Sequence, residues 1–86
     1  MPARYRIDLS SKARRQLSGL PKDIQNRIDL RLLVLADDPR PVGVKKLHGQ
    51  DRYRIRVGDY RVIYQIEDEV LLVLVVEIAH RREVYR

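Results

Sequence analysis

The sequence predicts a small α+β domain in which a helical hairpin packs on one face of a β-sheet. Three observations lead to this fold class: a short alternating segment comes first, two stretches with helical periodicity follow, and the second half of the chain is alternating or continuously apolar. Helices and strands that are segregated along a chain are typical of α+β proteins. The chain has 86 residues and no internal repeat or linker, so we expect a single domain over 1–86.

The N-terminal part predicts one strand and two helices. Residues 4–9 alternate strictly between polar and apolar, as in a half-buried strand. A serine at position 10 or 11 caps a first helix, which Gly19 ends. Pro21 suits the first position of a second helix, and Asp37-Asp38-Pro39 stops that helix.

The second helix carries more apolar residues than one buried stripe requires. The stripe consists of residues at spacings of four and three, namely Ile24, Ile28, Leu32 and Leu35. Leu30, Leu33 and Val34 stand outside it. They either fill the core or form an exposed docking groove for a partner, and the sequence leaves both interpretations open.

The second half of the chain predicts the sheet. We expect a short strand over 44–48, then a hairpin with strands over 52–57 and 60–66. The run over 70–78 is so continuously apolar that it should be the central strand, covered on both faces. The result is a small antiparallel sheet of about four strands, with a mixed edge left open. A short basic tail over 80–86 follows it.

The dipeptide Gly58-Asp59 fixes which side chains share a face of the sheet. A two-residue turn there pairs Arg56 with Arg61 and Ile55 with Val62. Alternation then separates an apolar face, which belongs on the helices, from a face that carries the arginines at 52, 54, 56 and 61. Like charges directly opposite each other destabilise a sheet. We therefore expect an exposed cationic surface with a binding role, and the alternative is a merely solvated basic face.

Charge and composition narrow the class of partner. Eighteen basic residues oppose twelve acidic ones, which gives a net charge of +6, and fourteen of the basic residues are arginine. Arginine presents a planar fork that suits phosphate, so nucleic acid or another acidic partner is favoured. There is no cysteine, which excludes disulfides and thiol chemistry. The longest apolar run, 70–76, is too short for a membrane helix and no signal peptide is visible, so we expect a cytoplasmic protein without a membrane partner.

No pattern in the sequence indicates a metal or a cofactor. The two histidines, His48 and His80, lack a paired ligand spacing, and the acidic residues at 37–38 and 67–69 are typical of a helix stop and a turn. No glycine-rich phosphate loop or serine-nucleophile motif is present. We expect no cofactor and no metal site, so any catalysis would depend on cations.

Two motifs together give the chain a family resemblance. The strand Tyr60-Arg61-Val62-Ile63-Tyr64 and the ending His80-Arg81-Arg82-Glu83-Val84-Tyr85 resemble the RelE family within the RelE/ParE superfamily of toxins. The first strand, the helical hairpin and Lys46-Leu47-His48-Gly49 agree, so the resemblance covers nearly the whole chain. It implies a RelE-like fold, with two N-terminal helices on one side of a small antiparallel sheet.

The resemblance implies the toxin of a type II toxin–antitoxin system. Such a toxin is a metal-independent endoribonuclease that cleaves mRNA in the ribosomal A site by attack of the 2′-hydroxyl on the adjacent phosphate, and it thereby inhibits translation. Its implied partners are the ribosome, mRNA and a cognate antitoxin, a short, acidic, DNA-binding protein in a hetero-oligomeric complex. Two other functions stay open: a ParE-like inhibitor of DNA gyrase, and an inactive module that binds RNA or antitoxin.

The resemblance also implies catalytic residues. Arg61 and Arg81 match family arginines that contact the scissile phosphate. Tyr85 matches a C-terminal tyrosine assigned to stacking or to proton transfer. His80, beside Arg81, is a further candidate acid or base.

The sequence departs from the family where a base would be expected. Arg54 and Arg56 stand where the best-known members carry lysines, and arginine cannot give up a proton at accessible pH. The general base therefore stays open between Tyr85, His80 and no protein base at all. The candidate RNA contacts are Arg52, Arg54, Arg56, Lys45, Lys46 and Arg82.

Overall fold

A single β-sheet with two helices on one of its faces forms the molecule, and the predicted α+β class is confirmed. The computed structural model describes residues 4–47, 51–80 and 82. The elements in chain order are β1 (Arg6–Leu9), α1 (Ser11–Ser18), α2 (Lys22–Asp37), β2 (Lys45–Lys46), β3 (Tyr53–Val57), β4 (Tyr60–Glu67) and β5 (Leu72–His80). A one-turn 3-10 helix, Asp68–Val70, connects β4 to β5.

The sheet has five strands within the described residues, where about four are expected from the sequence. Its order is β1-β5-β4-β3-β2. β1 is parallel to β5, and the other neighbours are antiparallel, so the sheet is mixed. The chain between β1 and β5 contains both helices and the strands β2, β3 and β4, which is far more than the long connection that a parallel pair requires. The sequence predicts that the apolar run 70–78 is the central strand, and this position is wrong. The corresponding strand, β5, lies inside the sheet between β1 and β4, and β4 is the central strand.

Local sequence signals position the helices. The Ser10 hydroxyl oxygen accepts a hydrogen bond from the backbone N–H of Ala13 at 3.0 Å, which caps α1. The same hydroxyl donates to the carbonyl oxygen of Val76 at 2.9 Å, so the cap also ties α1 to β5. Gly19 ends α1 as predicted. Pro21 takes the N-cap position of α2, one place before the expected first helical position.

The hydrophobic core lies between the helices and one face of the sheet, here called the inner face. Its buried members are Ala13, Ile28, Leu32, Leu35, Ile55, Val57, Val62, Tyr64, Val73, Val75 and Ile78. Burial of their apolar surface is the main favourable contribution to folding. Leu30, Leu33 and Val34 of α2 take no part in it, since they are 64%, 56% and 47% exposed. The interpretation that they fill the core is therefore wrong.

The turn between β3 and β4 forms as predicted. Gly58 has a φ of +60°, the left-handed value that the first residue of a type II′ turn requires. The strand register pairs Arg56 with Arg61 and Ile55 with Val62, as expected. Since Ile55 and Val62 belong to the core, the arginines of this hairpin lie on the other side of the sheet, here called the outer face.

A polar and aromatic network connects distant parts of the chain, and no sequence pattern pointed to it. The Arg40 guanidinium donates to both carboxylate oxygens of Asp68, at 3.2 and 2.9 Å. The Tyr5 hydroxyl donates to the same carboxylate at 2.6 Å. The hydrogen bond from Arg40 lowers the pKa of Asp68, and the hydrogen bond to Asp68 raises the pKa of Tyr5. Arg40 also lies over the ring of Tyr53, 5.4 Å from its centroid.

Tyr64 joins the central strand to the connector that follows α2. Its hydroxyl donates to the carbonyl oxygen of Pro39 at 2.8 Å in a buried setting. Its ring stacks on Tyr53 with the centroids 5.9 Å apart. Burial raises the pKa of Tyr64, so the hydroxyl stays a donor over the accessible pH range.

Replacement of Tyr64 by Phe is expected to lower the free energy of unfolding by about 1 kcal/mol, because the buried Pro39 carbonyl loses its donor. Urea denaturation followed by circular dichroism measures the change. Tyr53→Phe is the matched control, because the Tyr53 hydroxyl makes a longer, solvent-exposed contact with Arg40 Nε, at 3.4 Å. An equal or larger loss in the control would contradict the role given to the Tyr64 hydroxyl.

Candidate nucleic-acid interface

Three cations lie together on the outer face near one edge of the sheet. Lys45 of β2 pairs with Arg54 of β3, and Arg56 lies two residues further along β3. Alternation places all three on the same face, with Arg54 and Arg56 about 6–7 Å apart along the strand. Together with Gly43 they line a cavity of about 200 Å³. Lys45, Arg54 and Arg56 are called the basic cluster below.

No ion pair among the described residues neutralises the basic cluster. The ion pairs found there involve other cations, namely Arg4, Arg6, Lys12 and Arg40. Lys45 and Arg56 are exposed and Arg54 is half-buried. An anion in this cavity would meet three positive charges, and the two guanidinium groups offer paired donors that match phosphate oxygens.

Arg61 lies opposite Arg56 as predicted, but it is not exposed. Its exposed fraction is 2%. It belongs to the central strand β4, and its neighbours Ala79 and Ile63 on the outer face are buried as well. This part of the outer face is packed, so the expectation of a solvent-exposed arginine at 61 is wrong. The opposed pair consists of one exposed and one buried cation.

His80 lies on the inner side of the sheet, away from the basic cluster. It pairs with Tyr60 in the β4–β5 register, and the two rings meet edge to face with centroids 5.3 Å apart. Its Nδ1 accepts a hydrogen bond from the backbone N–H of Arg82 at 3.3 Å. His80 and Tyr60 border a separate cavity of about 240 Å³ between α1 and the sheet. The structure therefore does not bring His80 to the basic cluster.

Two further candidate contacts flank the basic cluster without joining it. Lys46 is exposed and pairs with Tyr53, so alternation places it on the opposite side of the sheet from Lys45. Arg52 is half-buried just before β3, and its carbonyl oxygen accepts a hydrogen bond from the backbone N–H of Leu47 at 2.8 Å. Only one of the two adjacent lysines thus faces the cavity.

The C-terminal candidates are described in part. Arg82 is exposed two residues beyond β5. Arg81 and Tyr85 lie outside the described residues, so their roles stay predictions. Within 4–47, 51–80 and 82, no group of three or more side chains from His, Cys, Asp and Glu is arranged to hold a metal ion. No helix in the described part of the chain combines the length and the hydropathy that a membrane crossing requires.

Sequence comparison decides the family. The model of a family described as "ParE toxin of type II toxin-antitoxin system, parDE" matches residues 7–85. The chain belongs to the RelE/ParE toxin family. The toxin is 31% identical to Toxin RelG of Mycobacterium tuberculosis, over 95% of this chain and 97% of the relative. It is 29% identical to the mRNA interferase toxin RelE of Escherichia coli K12, over 94% of this chain and 90% of the relative.

Structural comparison agrees with the sequence comparison. A chain in the crystal structure of the archaeal RelE-RelB complex from Pyrococcus horikoshii matches with a TM-score of 0.82 and 31% identity, over 94% of this toxin and 97% of that chain. The RelE-like fold and the family resemblance drawn from the two motifs are confirmed. This chain is the toxin component of a type II toxin–antitoxin system.

Replacement of Arg56 by Gln is expected to raise the free energy of unfolding by about 0.5 kcal/mol at low salt, because it relieves the repulsion from Arg61. Added salt should reduce this gain in unfolding free energy, since it screens the charge of the exposed arginine, Arg56. Thermal unfolding at two salt concentrations measures both effects. Arg14→Gln on the exposed side of α1 makes the same charge change away from the sheet. A destabilised Arg56→Gln at low salt would count against the like-charge argument.

Proposed function

We propose that the toxin is an endoribonuclease that cleaves mRNA in the ribosomal A site without a metal and so inhibits translation, and that its basic cluster receives the RNA backbone. One observation carries the proposal: three cations without an ion pair in the described part of the chain surround one cavity. The relative named mRNA interferase toxin RelE, at 29% identity over nearly the whole chain, supports the activity.

The proposed reaction is an internal transfer of the phosphate. The ribose 2′-oxygen forms a bond to the adjacent phosphorus, and the bond from phosphorus to the 5′-oxygen breaks. The 2′-hydroxyl gives up its proton and the leaving oxygen gains one, which leaves a 2′,3′-cyclic phosphate and a 5′-hydroxyl. Because the nucleophile belongs to the RNA, DNA is not a substrate.

Charge stabilisation is the chemistry that the basic cluster can supply. Negative charge accumulates on the phosphoryl oxygens in the transition state, and removal of one well-placed donor typically costs about 10²–10³ in rate. Arg54 and Arg56 stand on a strand, which holds their Cα atoms in a fixed spacing. Lys45 adds a compact charge from the neighbouring strand. In this scheme the ribosome aligns the 2′-oxygen with the leaving group.

Arg61 and Arg81 keep their proposed contacts with the scissile phosphate. For Arg61 the contact requires a local rearrangement, because the residue is only 2% exposed. The packing around Arg61 must open before a phosphate oxygen can reach the guanidinium. We assign the general base to Tyr85 and not to His80, whose ring contacts Tyr60 on the inner side of the sheet.

The partners are proposed from charge and from the relatives. A cognate antitoxin that is short, acidic and DNA-binding would form a hetero-oligomeric complex with this basic chain, whose net charge is +6. The matched structure from Pyrococcus horikoshii is a complex of RelE with RelB. Ribosome and mRNA are the proposed partners in cleavage, and the cytoplasm is the proposed location.

Inhibition of DNA gyrase is a second candidate function. The observation in its favour is the description of the matching family, which names ParE. Two assays separate the candidates: plasmid supercoiling by purified gyrase, and cleavage of mRNA in a translating extract. Inhibited supercoiling without mRNA cleavage would establish the gyrase function instead, and inactivity in both assays would indicate a binding module.

Arg54→Ala and Arg56→Ala are each expected to slow cleavage of ribosome-bound mRNA by about 10²–10³, because each removes a donor to the phosphate. Lys45→Ala should slow it as well, and Arg61→Ala and Arg81→Ala should abolish it in a folded protein. Primer extension on mRNA from a translating extract measures the rate. Arg14→Ala and Lys22→Ala remove exposed charges from the helices and should leave it unchanged. Full activity of Arg54→Ala and Arg56→Ala together would refute the role of the basic cluster.

Cleavage is expected to continue in a chelator at a magnesium level just sufficient to keep ribosomes intact, because the proposed scheme uses protein side chains and no metal ion. The rate is measured before and after manganese and zinc are added back. A rate that recovers only with manganese or zinc, while ribosome integrity is unchanged, would refute the metal-free scheme.

His80→Gln is expected to leave the single-turnover rate and its pH dependence unchanged, because His80 lies on the inner side of the sheet. Tyr85→Phe should lower the rate and flatten its rise with pH. Single-turnover cleavage across a pH series measures both. The opposite pattern, a flat profile in His80→Gln and a normal one in Tyr85→Phe, would reverse the assignment.

A further inference from the structure

A groove runs between α2 and the edge of β3, next to the basic cluster but separate from its cavity. It is lined by Arg27, Leu30, Arg31, Arg56, Val57 and Gly58, which enclose about 250 Å³. Arg27 and Arg31 stand four residues apart, as do Leu30 and Val34, and the two pairs are offset by three, so the four residues form one strip of α2 beside this groove. The name α2–β3 groove is used for it below.

The strip of α2 exposes apolar surface that the core does not use. Leu30 and Val34 belong to this strip, and Leu33 lies beside them on α2. All three side chains are exposed. Single exposed apolar residues are ordinary, but neighbouring ones at these spacings form a patch of the kind that marks a protein contact. RNA would contact the flanking cations and would leave this apolar surface uncovered, so a protein segment fits the groove better.

The cations of the groove indicate the charge of that segment. Arg27, Arg31 and Arg56 take part in none of the ion pairs between described residues. Arg27 lies against the turn: a Cβ atom at Gly58 would be 3.4 Å from Arg27 Nη1. Three guanidinium groups around one apolar strip are complementary to a segment that carries both carboxylates and apolar side chains.

The edge of β3 beside the groove offers backbone hydrogen bonds. β2 pairs only with Tyr53 and Arg54, so the rest of this edge has no neighbouring strand among the described residues. Val57 and Tyr60 close a two-residue turn and therefore form a hydrogen-bonded pair. In an antiparallel ladder the backbone N–H and C=O of Arg56 then point away from β4, toward the groove edge. An extended segment can add to such an edge.

We propose that the α2–β3 groove is the docking site of an acidic, partly apolar segment of the antitoxin, which runs along the free edge of β3. Its apolar side chains contact Leu30 and Val34, and its carboxylates pair with Arg27, Arg31 and Arg56. Arg56 lines both the groove and the cavity of the basic cluster. A segment docked in the groove therefore withdraws one cation from the proposed RNA site. This inference rests on the antitoxin partnership proposed above and not on RNA cleavage.

Calorimetric titration of the toxin with its purified cognate antitoxin tests the groove. The paired variants Leu30→Glu with Val34→Glu, and Arg27→Glu with Arg31→Glu, should each weaken binding by at least about tenfold. Both should still cleave ribosome-bound mRNA, because neither replaces a member of the basic cluster. Val42→Glu is the control for the apolar pair, and Arg14→Glu with Lys22→Glu matches the charge change of the arginine pair. The controls should bind antitoxin as the unmodified toxin does.

Amide hydrogen exchange in the unmodified complex gives a second measurement that requires no variant. The backbone N–H of Arg56 should exchange more slowly once antitoxin is bound. Unchanged affinity of both paired variants, or unchanged exchange at Arg56, would overturn the proposal. Loss of mRNA cleavage with unchanged antitoxin affinity would also overturn it, since the groove would then serve the ribosome. If the unmodified toxin cleaves no mRNA, the proposed function is wrong. The titration with antitoxin still tests the docking site in that case.

Discussion

The register of the β3–β4 hairpin is the constraint on which the arrangement of the whole sheet depends. Gly58 takes a backbone conformation that lets two residues reverse the chain, and this fixes every pair along the two strands. A slip by one residue would move each side chain to the other face of the sheet. Arg56 would then enter the core and Val57 would lose its place in it. The hydrophobic core and the basic cluster are thus two results of a single turn.

Arg56 affects both the stability of the sheet and the proposed binding of ligands. It faces a buried arginine across the hairpin, and it lines two cavities whose proposed ligands are both acidic. An anion near Arg56 offsets the repulsion between the two arginines, whichever ligand supplies it. RNA backbone and antitoxin would therefore compete for one charge. Neutralisation of the toxin needs no distant conformational signal in this arrangement.

The features that the sequence predicts correctly are those that depend on residues close together in the chain. The serine cap, the glycine turn and the alternating arginines each act within a few residues, and each was predicted in place. The pairing of β1 with β5 was not, because an alternating pattern shows that a strand has two faces but not which strand lies beside it. The burial of Arg61 was missed for a related reason: alternation assigns a face and not what packs there. The contact of Tyr5 with Asp68 spans 63 positions and leaves no periodic signal.

The parallel pairing of β1 with β5 has a consequence for synthesis of the chain. The strand made first needs as its neighbour the strand made last among those described, and β5 also supplies an edge to the central strand β4. While residues 72–80 are still inside the ribosomal exit tunnel, β1 has no partner and β4 lacks one of its two. The sheet that positions the arginines is therefore assembled only after most of the chain has been released. A nascent chain without β5 therefore lacks the folded sheet that positions the basic cluster, because contacts so distant in sequence form late.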